Sequence, residues 1–531
     1  MNQESESVQR EATEYDVVIV GAGPSGLSAA IRLKQLAAET GAEISVCVLE
    51  KGAEVGAHIL SGAVVDTIAL SELIPDWKEK GAPLKTEVSQ DRFYVLGPSG
   101  ALRLPNFLMP RLMGNHGKYA ISLGNLCRWL ASQAEALGVE IYPGFAASEV
   151  LYRADGSVRG VVAGVAGISK TGEKKPDYEP GMELNGKYVF IAEGVHGSLA
   201  KEIMNRFDLC AGRCPQKFGI GLKELWEVKP GNHRPGQVTH TMGWPLGLKT
   251  GGGSFMYHLE DNLVSIGFVV HLNYENPHLH PYMEFQRFKH HPLIEPVLRG
   301  GRRIAYGARA ITEGGLQSVP KLSFPGGVLV GCSAGFVNVP RIKGTHNAMK
   351  TGMLAAESAF EAIRGGRSGD ELGSYQTAFE ASWVYEDLKK VRNVKPLWSK
   401  LGLIGGLTLG GFDMWTNELF GVSLFGTLRH GKSDAKSTKP AKQFKPIDYP
   451  KPDGVISFDR LTNLSFSGTN HAEDQPVHLQ LKDPSIPINH NLPIYDEPAQ
   501  RYCPAGVYEV VEENGKPRFQ INAQNCVHCK T

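Results

Sequence analysis

The chain has 531 residues, enough to bury a large core and to divide into two or three domains. A net charge of +1 argues against a protein built mainly for nucleic acid, and 42% hydrophobic with 21% charged residues excludes a disordered chain. The 62 glycines favour a loop-rich nucleotide-binding architecture over a helical bundle. In chain order, the opening stretch "MNQESESVQREATEY" is polar, without an apolar core or an Arg-rich amphipathic pattern. It reads as neither a secretory signal nor a transit peptide, which suits a bacterial protein or a processed organellar one. No run of about 20 apolar residues exists to span a bilayer.

"YDVVIVGAGPSGLSAAIRLKQLA" follows. Asp16 to Val20 is a short β-branched run suited to a strand buried on both faces. Gly21, Gly23 and Gly26 supply G-x-G-x-x-G, and a helical pattern runs from Leu27 to Leu36. The first glycine permits the tight turn, the second lets a pyrophosphate approach the backbone, and the third lets helix and strand pack closely. Phosphate would rest on the helix N-terminus, where free N–H groups favour anions. "ISVCVLEKG" gives a second strand ending in Glu50, 24 residues past Gly26, where a carboxylate can accept ribose hydroxyls. A glycine turn without a ligand is the structural alternative.

Two later segments favour FAD over NAD. "KYVFIAEGVHGSLAK" (187–201) is similar to the second flavin contact of monooxygenase-type folds. "GGVLVGCSAGFVNVPRIKGTHNAMKTGMLAAESAF" (326–360) resembles their late flavin-binding strand, loop and helix, with Gly331 followed by Cys332 where those proteins often have Gly-Asp. An ordinary strand–helix crossover is the alternative. Between 215 and 325 the texture turns to strand-like stretches with Gly and Pro breaks, read as an inserted mixed-sheet domain that builds the substrate site. There Gly251, Gly252 and Gly253 leave room for a flat ligand or form a plain hairpin turn. The histidines 278, 280, 290 and 291 lack a carboxylate at metal spacing and are read as solvated or capping.

In "KKVRNVKPLWSKLGLIGGLTLGGFDMW", Lys389, Lys390, Arg392, Lys395 and Lys400 form a basic run ahead of an uncharged stretch from Leu401 to Phe412. This suits an interfacial segment with cations at headgroups and apolar side chains below them. A buried core helix is the alternative, and five glycines between 401 and 411 speak against a helix. A Lys- and Pro-rich connector follows at 431–454. The tail carries Cys503-Pro504, a hairpin pattern around "ENGK", then Cys526 and Cys529. Cys-Pro with C-x2-C is iron–sulfur ligand chemistry. Zinc on these cysteines and His528 competes, but neighbouring His528 and Cys529 side chains diverge. The domain reading is therefore 1–214 and 326–430 for the dinucleotide fold, 215–325 for the insert, 431–454 for the connector, and 455–531 for a cluster domain.

Taken together, "VVIVGAGPSGLSAAIRLKQLA", "GAHILSGA", "GGSF", "FPGGVLVGCSAGFVNVPRIKGTH", "YPKPDG", "SGTNHAEDQPVHL" and "CPAGVY…INAQNCVHCKT" closely resemble the electron transfer flavoprotein–ubiquinone oxidoreductase family almost end to end. The resemblance implies an α/β (α+β) protein with a Rossmann-like FAD-binding fold, an inserted quinone-binding domain and a C-terminal ferredoxin-like iron–sulfur domain. It implies FAD and one [4Fe-4S] cluster, with electron transfer flavoprotein, ubiquinone and a membrane surface as partners and no nucleic acid. By that likeness Gly252 and Gly253 line the quinone pocket, Cys503, Cys526 and Cys529 ligate the cluster, and Thr345 in the 331–345 loop meets the flavin. The expected work is an electron relay with no acid/base dyad, on the cytoplasmic face of a bacterial inner membrane or on the mitochondrial inner membrane. The rival reading is a FAD-dependent monooxygenase or polyprenyl reductase of the same fold; a non-catalytic, zinc-stapled scaffold is the rival from another class. The family pattern continues as C-x2-C-x2-C, which would put a fourth thiolate one residue beyond Thr531; the expectation is either a chain truncated there, the favoured reading, or a form that holds an incomplete cluster.

Overall fold

The computed structural model describes residues 9–60 and 62–531, so the first eight residues of the polar N-terminal stretch, and Ser61 within "GAHILSGA", lie outside it. Strand β1 (Glu11–Val20) runs into helix α1 (Pro24–Thr40) and on to β2 (Val46–Glu50). Val17, Val18 and Ile19 are fully buried, as a strand covered on both faces requires. Strands β3 (Gln90–Leu96) and β4 (Ala101–Leu104) form a hairpin, and β5 (Glu140–Pro143) and β6 (Met182–Ile191) return to the first sheet. Next come β7 (Phe218–Glu227), β8 (Gln237–Gly243), β9 (Gly252–His258), β10 (Leu263–His271) and β11 (Arg302–Thr312). Strand β12 (Gly327–Leu329) leads to helices α2 (Thr345–Arg364) and α3 (Val394–Phe420), and the tail holds the hairpin β13 (Tyr508–Glu513) and β14 (Lys516–Ile521).

The first sheet has parallel strands in the order β12–β6–β1–β2–β5, extended by antiparallel strands 147–152 and 158–163 beside β6. Chain order reverses at β1, and the crevice at the carboxyl ends of such strands is where open α/β sheets bind ligands. The second sheet runs β11–β7–β10–β9–β8–β3–β4, antiparallel except between β8 and β3. It is not confined to 215–325, because β3 and β4 come from the N-terminal segment and pair at its edge. That pairing carries part of the dinucleotide domain's chain out over the second sheet.

Behind the second sheet, Lys289 is fully buried and donates to both oxygens of Glu224 at 2.9 Å, while Trp226 Nε1 and Asn463 Nδ2 each donate to Glu224 at 2.8 Å. The charge is thus matched, as burial demands, and Asn463 stitches the C-terminal region onto the insert. Strand β11 makes further stitches: Tyr306 Oη donates to the Pro504 carbonyl at 2.9 Å and Ala310 N to the Cys529 carbonyl at 2.6 Å. In the tail hairpin, Glu513 pairs with Lys516 around Asn514 and Gly515, both with positive φ, the backbone that a tight two-residue hairpin turn needs.

Candidate active site

The glycine turn forms as its spacing requires. Gly21 has φ +113°, and a Cβ there would sit 2.5 Å from the Ala192 carbonyl oxygen, so only glycine fits between β1 and β6. Gly26 lies so close to the turn that its Cβ would stand 2.1 Å from Gly21 O. At Gly23 a Cβ would meet nothing within 4 Å, and Gly23 caps α1 without any side-chain hydrogen bond. The start of α1 therefore presents bare backbone at an open cradle. Glu50 closes the turn from β2, accepting from Ala22 N at 3.3 Å and Gly52 N at 2.7 Å. These residues fit an adenine dinucleotide: a bare helix N-terminus for phosphate and a carboxylate at the strand end for ribose.

A cavity of about 960 Å³ opens from this turn. Gly21, Gly23 and Glu50 line one end, Gly344 and Thr345 at the N-terminus of α2 line its side, and Gly252 and Gly253 at the start of β9 line its far wall. No Cβ fits at either far glycine: at Gly252, φ +147°, it would stand 2.2 Å from Val269 O, and at Gly253 2.6 Å from Thr241 O. The pair sits in a regular antiparallel strand rather than in a hairpin turn. Gly331 stands behind the wall: its φ is +58° and its Cβ would press on Ser25 Oγ at 2.6 Å, while its neighbour Cys332 lines the cavity. Gly331 thus leaves the room that Ser25 of the glycine turn occupies.

The three tail cysteines converge. Cys503 and Cys526 share one buried cluster with Ala505 and Val507, and Cys529 packs against the core of the second sheet. Backbone amides point at two of the sulfurs, Val507 N to Cys503 Sγ and His528 N to Cys526 Sγ, both at 3.4 Å. Burial pushes the Cys529 thiol up to about 11, hydrogen bonds from Thr531 opposing the rise and nearby Cys503 and Cys526 adding to it. Three thiols around one spot, with amides aimed at sulfur, fit an iron–sulfur cluster. His528 lies in a cluster of imidazoles, its ring tilted against His471 at 4.9 Å and His478 at 5.2 Å between centroids. A second donor set results, with ligand atoms of His478, Cys526 and His528 within 4.8 Å of one another. His471 fixes the loop through the Cys526 carbonyl at 2.7 Å. His58, His471 and His478 lie within "GAHILSGA" and "SGTNHAEDQPVHL", but nothing in those strings marks the three imidazoles as neighbours of the cysteine loop.

Cysteine loop and cavity touch. Lys530, next to Cys529, lines the cavity with Lys51 and Arg309. Arg309 donates to the carbonyls of His58 and His528, both at 3.1 Å, tying both loops to β11. Burial, then the nearby Lys530 and Arg309, lowers Lys51 to about 8. An anion relieves such crowding of cations.

The cavity mouth is apolar. Helix α3 breaks at Gly402 (φ +69°), where a Cβ would meet Leu248 O at 2.5 Å, and then continues to Phe420. The glycines did not prevent a helix, because Gly406 faces the Trp398 ring so closely that a Cβ would lie 2.9 Å from it. Leu401, Ile404, Phe412, Leu419 and Phe420 on α3, with Leu102, Phe107, Leu108 and Leu248 nearby in the fold, are all exposed. Trp415 Nε1 joins the two segments by donating to the Leu108 carbonyl at 3.1 Å. Among the described residues no helix is long and apolar enough to cross a membrane. Lys395 is not a headgroup cation: it is buried and paired with Glu313, because the first turn of α3 packs inward.

Comparison with known proteins agrees with this geometry. Residues 218–311 match the family model described as ETF-QO, ubiquinone-binding; residues 454–531 match electron transfer flavoprotein-ubiquinone oxidoreductase, 4Fe-4S; residues 19–72 match an NAD(P)-binding Rossmann-like domain. The electron transfer flavoprotein-ubiquinone oxidoreductase of Pseudomonas aeruginosa is 57% identical over 528 residues, covering 99% of this chain and 95% of that one. The mitochondrial protein of that name from Mus musculus is 56% identical, covering 99% and 87%, and the one from Homo sapiens 55%, covering 99% and 86%. Among solved structures, a geranylgeranyl bacteriochlorophyll reductase-like protein from Thermoplasma acidophilum superposes with a TM-score of 0.56 at 17% identity, covering 77% of this chain and 97% of that one, a likeness of fold. On these findings the chain belongs to the electron transfer flavoprotein–ubiquinone oxidoreductase family.

Proposed function

We propose that this protein takes electrons from reduced electron transfer flavoprotein and reduces ubiquinone to ubiquinol, using FAD and a [4Fe-4S] cluster. The observation that carries the reading is the single cavity that joins the glycine turn, the residue after Cys529, and the Gly252–Gly253 wall, and that opens beside exposed apolar side chains. FAD and cluster supply the exchange between one-electron and two-electron chemistry; the chain binds, orients and tunes them. Gly21, Gly23, Gly26 and Glu50 hold the dinucleotide, and Gly331 leaves room for Ser25 in their turn. Thr345 opens α2, whose N-terminal partial positive charge faces the cavity and favours negative charge there. Cys503, Cys526 and Cys529 hold the cluster, and Lys530 shortens the way from cysteine loop to cavity.

Gly252 and Gly253 give a flat ring room against backbone, and the apolar mouth receives the isoprenoid chain. The face formed by α3 and residues 102–108 rests in the interfacial layer, with Lys389, Lys390 and Lys400 at headgroup level. The protein so sits peripherally on a membrane, and we place it on the cytoplasmic face of the bacterial inner membrane, where quinone in the hydrocarbon reaches the mouth without crossing water. Photolabelling with an azido-ubiquinone in detergent tests the site. Label is expected in peptides spanning 241–254 and 394–411; label confined to other peptides contradicts it.

A further inference from the structure

Ubiquinol formation needs two protons as well as two electrons, and nothing in the electron path supplies them. One wall of the cavity carries three buried ionisable side chains: His271 at the end of β10, Glu313 just past β11, and Lys395 in the first turn of α3. Their side chains are only 8%, 3% and 5% exposed. Glu313 Oε2 accepts a short hydrogen bond from Lys395 Nζ, and its Oε1 lies 3.6 Å from His271 Nε2. Bare glycines make the room. A Cβ at Gly251 would stand 2.0 Å from His271 Nδ1, and one at Gly219 2.3 Å from Glu313 Oε1. Gly251 O also accepts from His271 N at 3.0 Å, so the imidazole is fixed to the residue preceding the Gly252–Gly253 wall. Beside it, 5.6 Å between ring centroids, lies Trp398, another cavity residue, whose indole N–H has no partner among the described residues. A buried donor left free in this way is open to an acceptor on a ligand.

Behind Glu313 the polar groups continue outward. Its backbone N–H donates to Lys217 O at 2.6 Å; Lys217 Nζ donates to Asp434 Oδ1 at 3.0 Å; Phe218 N donates to Asp434 Oδ2 at 2.7 Å. Asp434 lies in the connector between exposed Lys432 and exposed Ala435 and Lys436, one step from solvent. His430 holds the same corner through Gly314 O at 2.9 Å. The groups facing Glu313 are thus Lys395 from α3, His271 from β10, Lys217 ahead of β7, and Asp434 and His430 from the chain after α3. Burial raises Glu313 above the usual carboxylate range and lowers both Lys395 and His271. A chain of ionisable groups this deep costs stability that hydrophobic residues would not, and such sites cluster where protons move.

We propose that Glu313, acting with His271, delivers protons to the quinone oxygen held at the Gly252–Gly253 wall, and that Lys395 and the Lys217–Asp434 pair reload it from solvent. The inference rests on the quinone reading given above. As electrons supplied by reduced electron transfer flavoprotein reach the quinone, the proton on a Glu313 carboxyl oxygen passes by way of the imidazole, and a new O–H bond forms while the carbonyl π bond breaks. Glu313 regains a proton from the Lys395 ammonium that donates to it, Lys395 takes one in turn from water at the Lys217–Asp434 corner, and the second carbonyl is reduced likewise. Two electrons and two protons thereby convert two C=O groups into two C–OH groups. The Trp398 N–H holds the carbonyl during this.

The test uses the whole protein with short-chain ubiquinone in detergent and reduced electron transfer flavoprotein, each rate divided by that with ferricyanide, which accepts electrons without protons. Glu313→Gln is expected to lower the quinone-to-ferricyanide ratio by about 100-fold or more, the usual reach of a lost general acid. KM for quinone should stay put, the solvent deuterium effect on the remaining rate should grow, and Glu313→Asp should restore part of the ratio. Since Glu313→Gln leaves Lys395 buried without its partner, the double variant Glu313→Gln/Lys395→Met, which removes both charges, is measured alongside and should show the same fall. An unchanged ratio in either flavin-containing variant, or a raised KM with kcat intact, overturns the inference. If azido-ubiquinone still labels 241–254 in that case, only the proton route fails; label confined to other peptides overturns the quinone reading and this inference with it.

Discussion

Gly21 and Gly23 stand two residues apart, and the structure asks opposite things of them. At Gly21 an added methyl collides with the Ala192 carbonyl in a left-handed backbone, so Gly21→Ala should cost about 1–3 kcal/mol of stability as well as flavin. At Gly23 the methyl meets no protein atom, so Gly23→Ala should stay within about 0.5 kcal/mol of the parent. Its methyl occupies the space a pyrophosphate needs, and flavin per chain should fall. Denaturation midpoints with visible flavin absorbance check both; a Gly23→Ala protein with full flavin would contradict the cradle. This turn was legible in sequence because strand, turn and acid lie within about forty positions and each role is local. The pairing of Glu313 with Lys395 was not, since 82 residues separate them and each charge alone reads as surface. Lys395 looked like one more cation in a basic run until folding turned it inward.

Helix α3 is the element that the sequence presents as an interfacial segment and a poor helix, and it is helical from Leu403 to Phe420. Glycine's helix propensity argued against it, yet Gly406 and Gly410 lie where the helix packs back on Trp398 and Val394, and packing outweighed propensity. What propensity cannot show is which side chains remain outside. Ile404 is 60% and Phe412 51% exposed, so replacing both with Glu should leave the fold intact. Losing two apolar anchors, each about 1.5–3 kcal/mol when buried, should lower vesicle partition by roughly 100-fold or more. Co-flotation with anionic vesicles measures it, and a double variant that floats like the parent would contradict the interfacial role. The tail hairpin was read correctly for a simpler reason: "ENGK" carries its own turn chemistry.

At the scale of the molecule, β11 joins the three regions. Its residues hold the Pro504, His528 and Cys529 carbonyls on one side and the His58 loop on the other, which fixes the cysteine loop against the cavity. Domain content was legible from the glycine turn and the cysteines; the docking was not, because it runs through backbone carbonyls that carry no residue signature. The same burial sets acid sensitivity. Desolvation lowers His240 and His280 to about 3 and His258, His346 and His430 to about 4. Each folded value lies below the unfolded 6.5, so the unfolded chain binds protons first. The stability these histidines contribute is full above about pH 6.5 and is lost as pH falls toward 4, by up to about 1.4 kcal/mol each at pH 5.5. Urea midpoints should therefore drop clearly between pH 7.5 and 5.5; a flat profile would contradict their burial in the neutral form.

The most direct measurement is flavin and iron per chain in anaerobically purified protein, followed by ubiquinone reduction driven by reduced electron transfer flavoprotein, before and after iron is chelated. The account predicts one flavin with about four irons and ubiquinol formation that collapses with the loss of iron. An iron-free protein that reduces ubiquinone at the undiminished rate would contradict it.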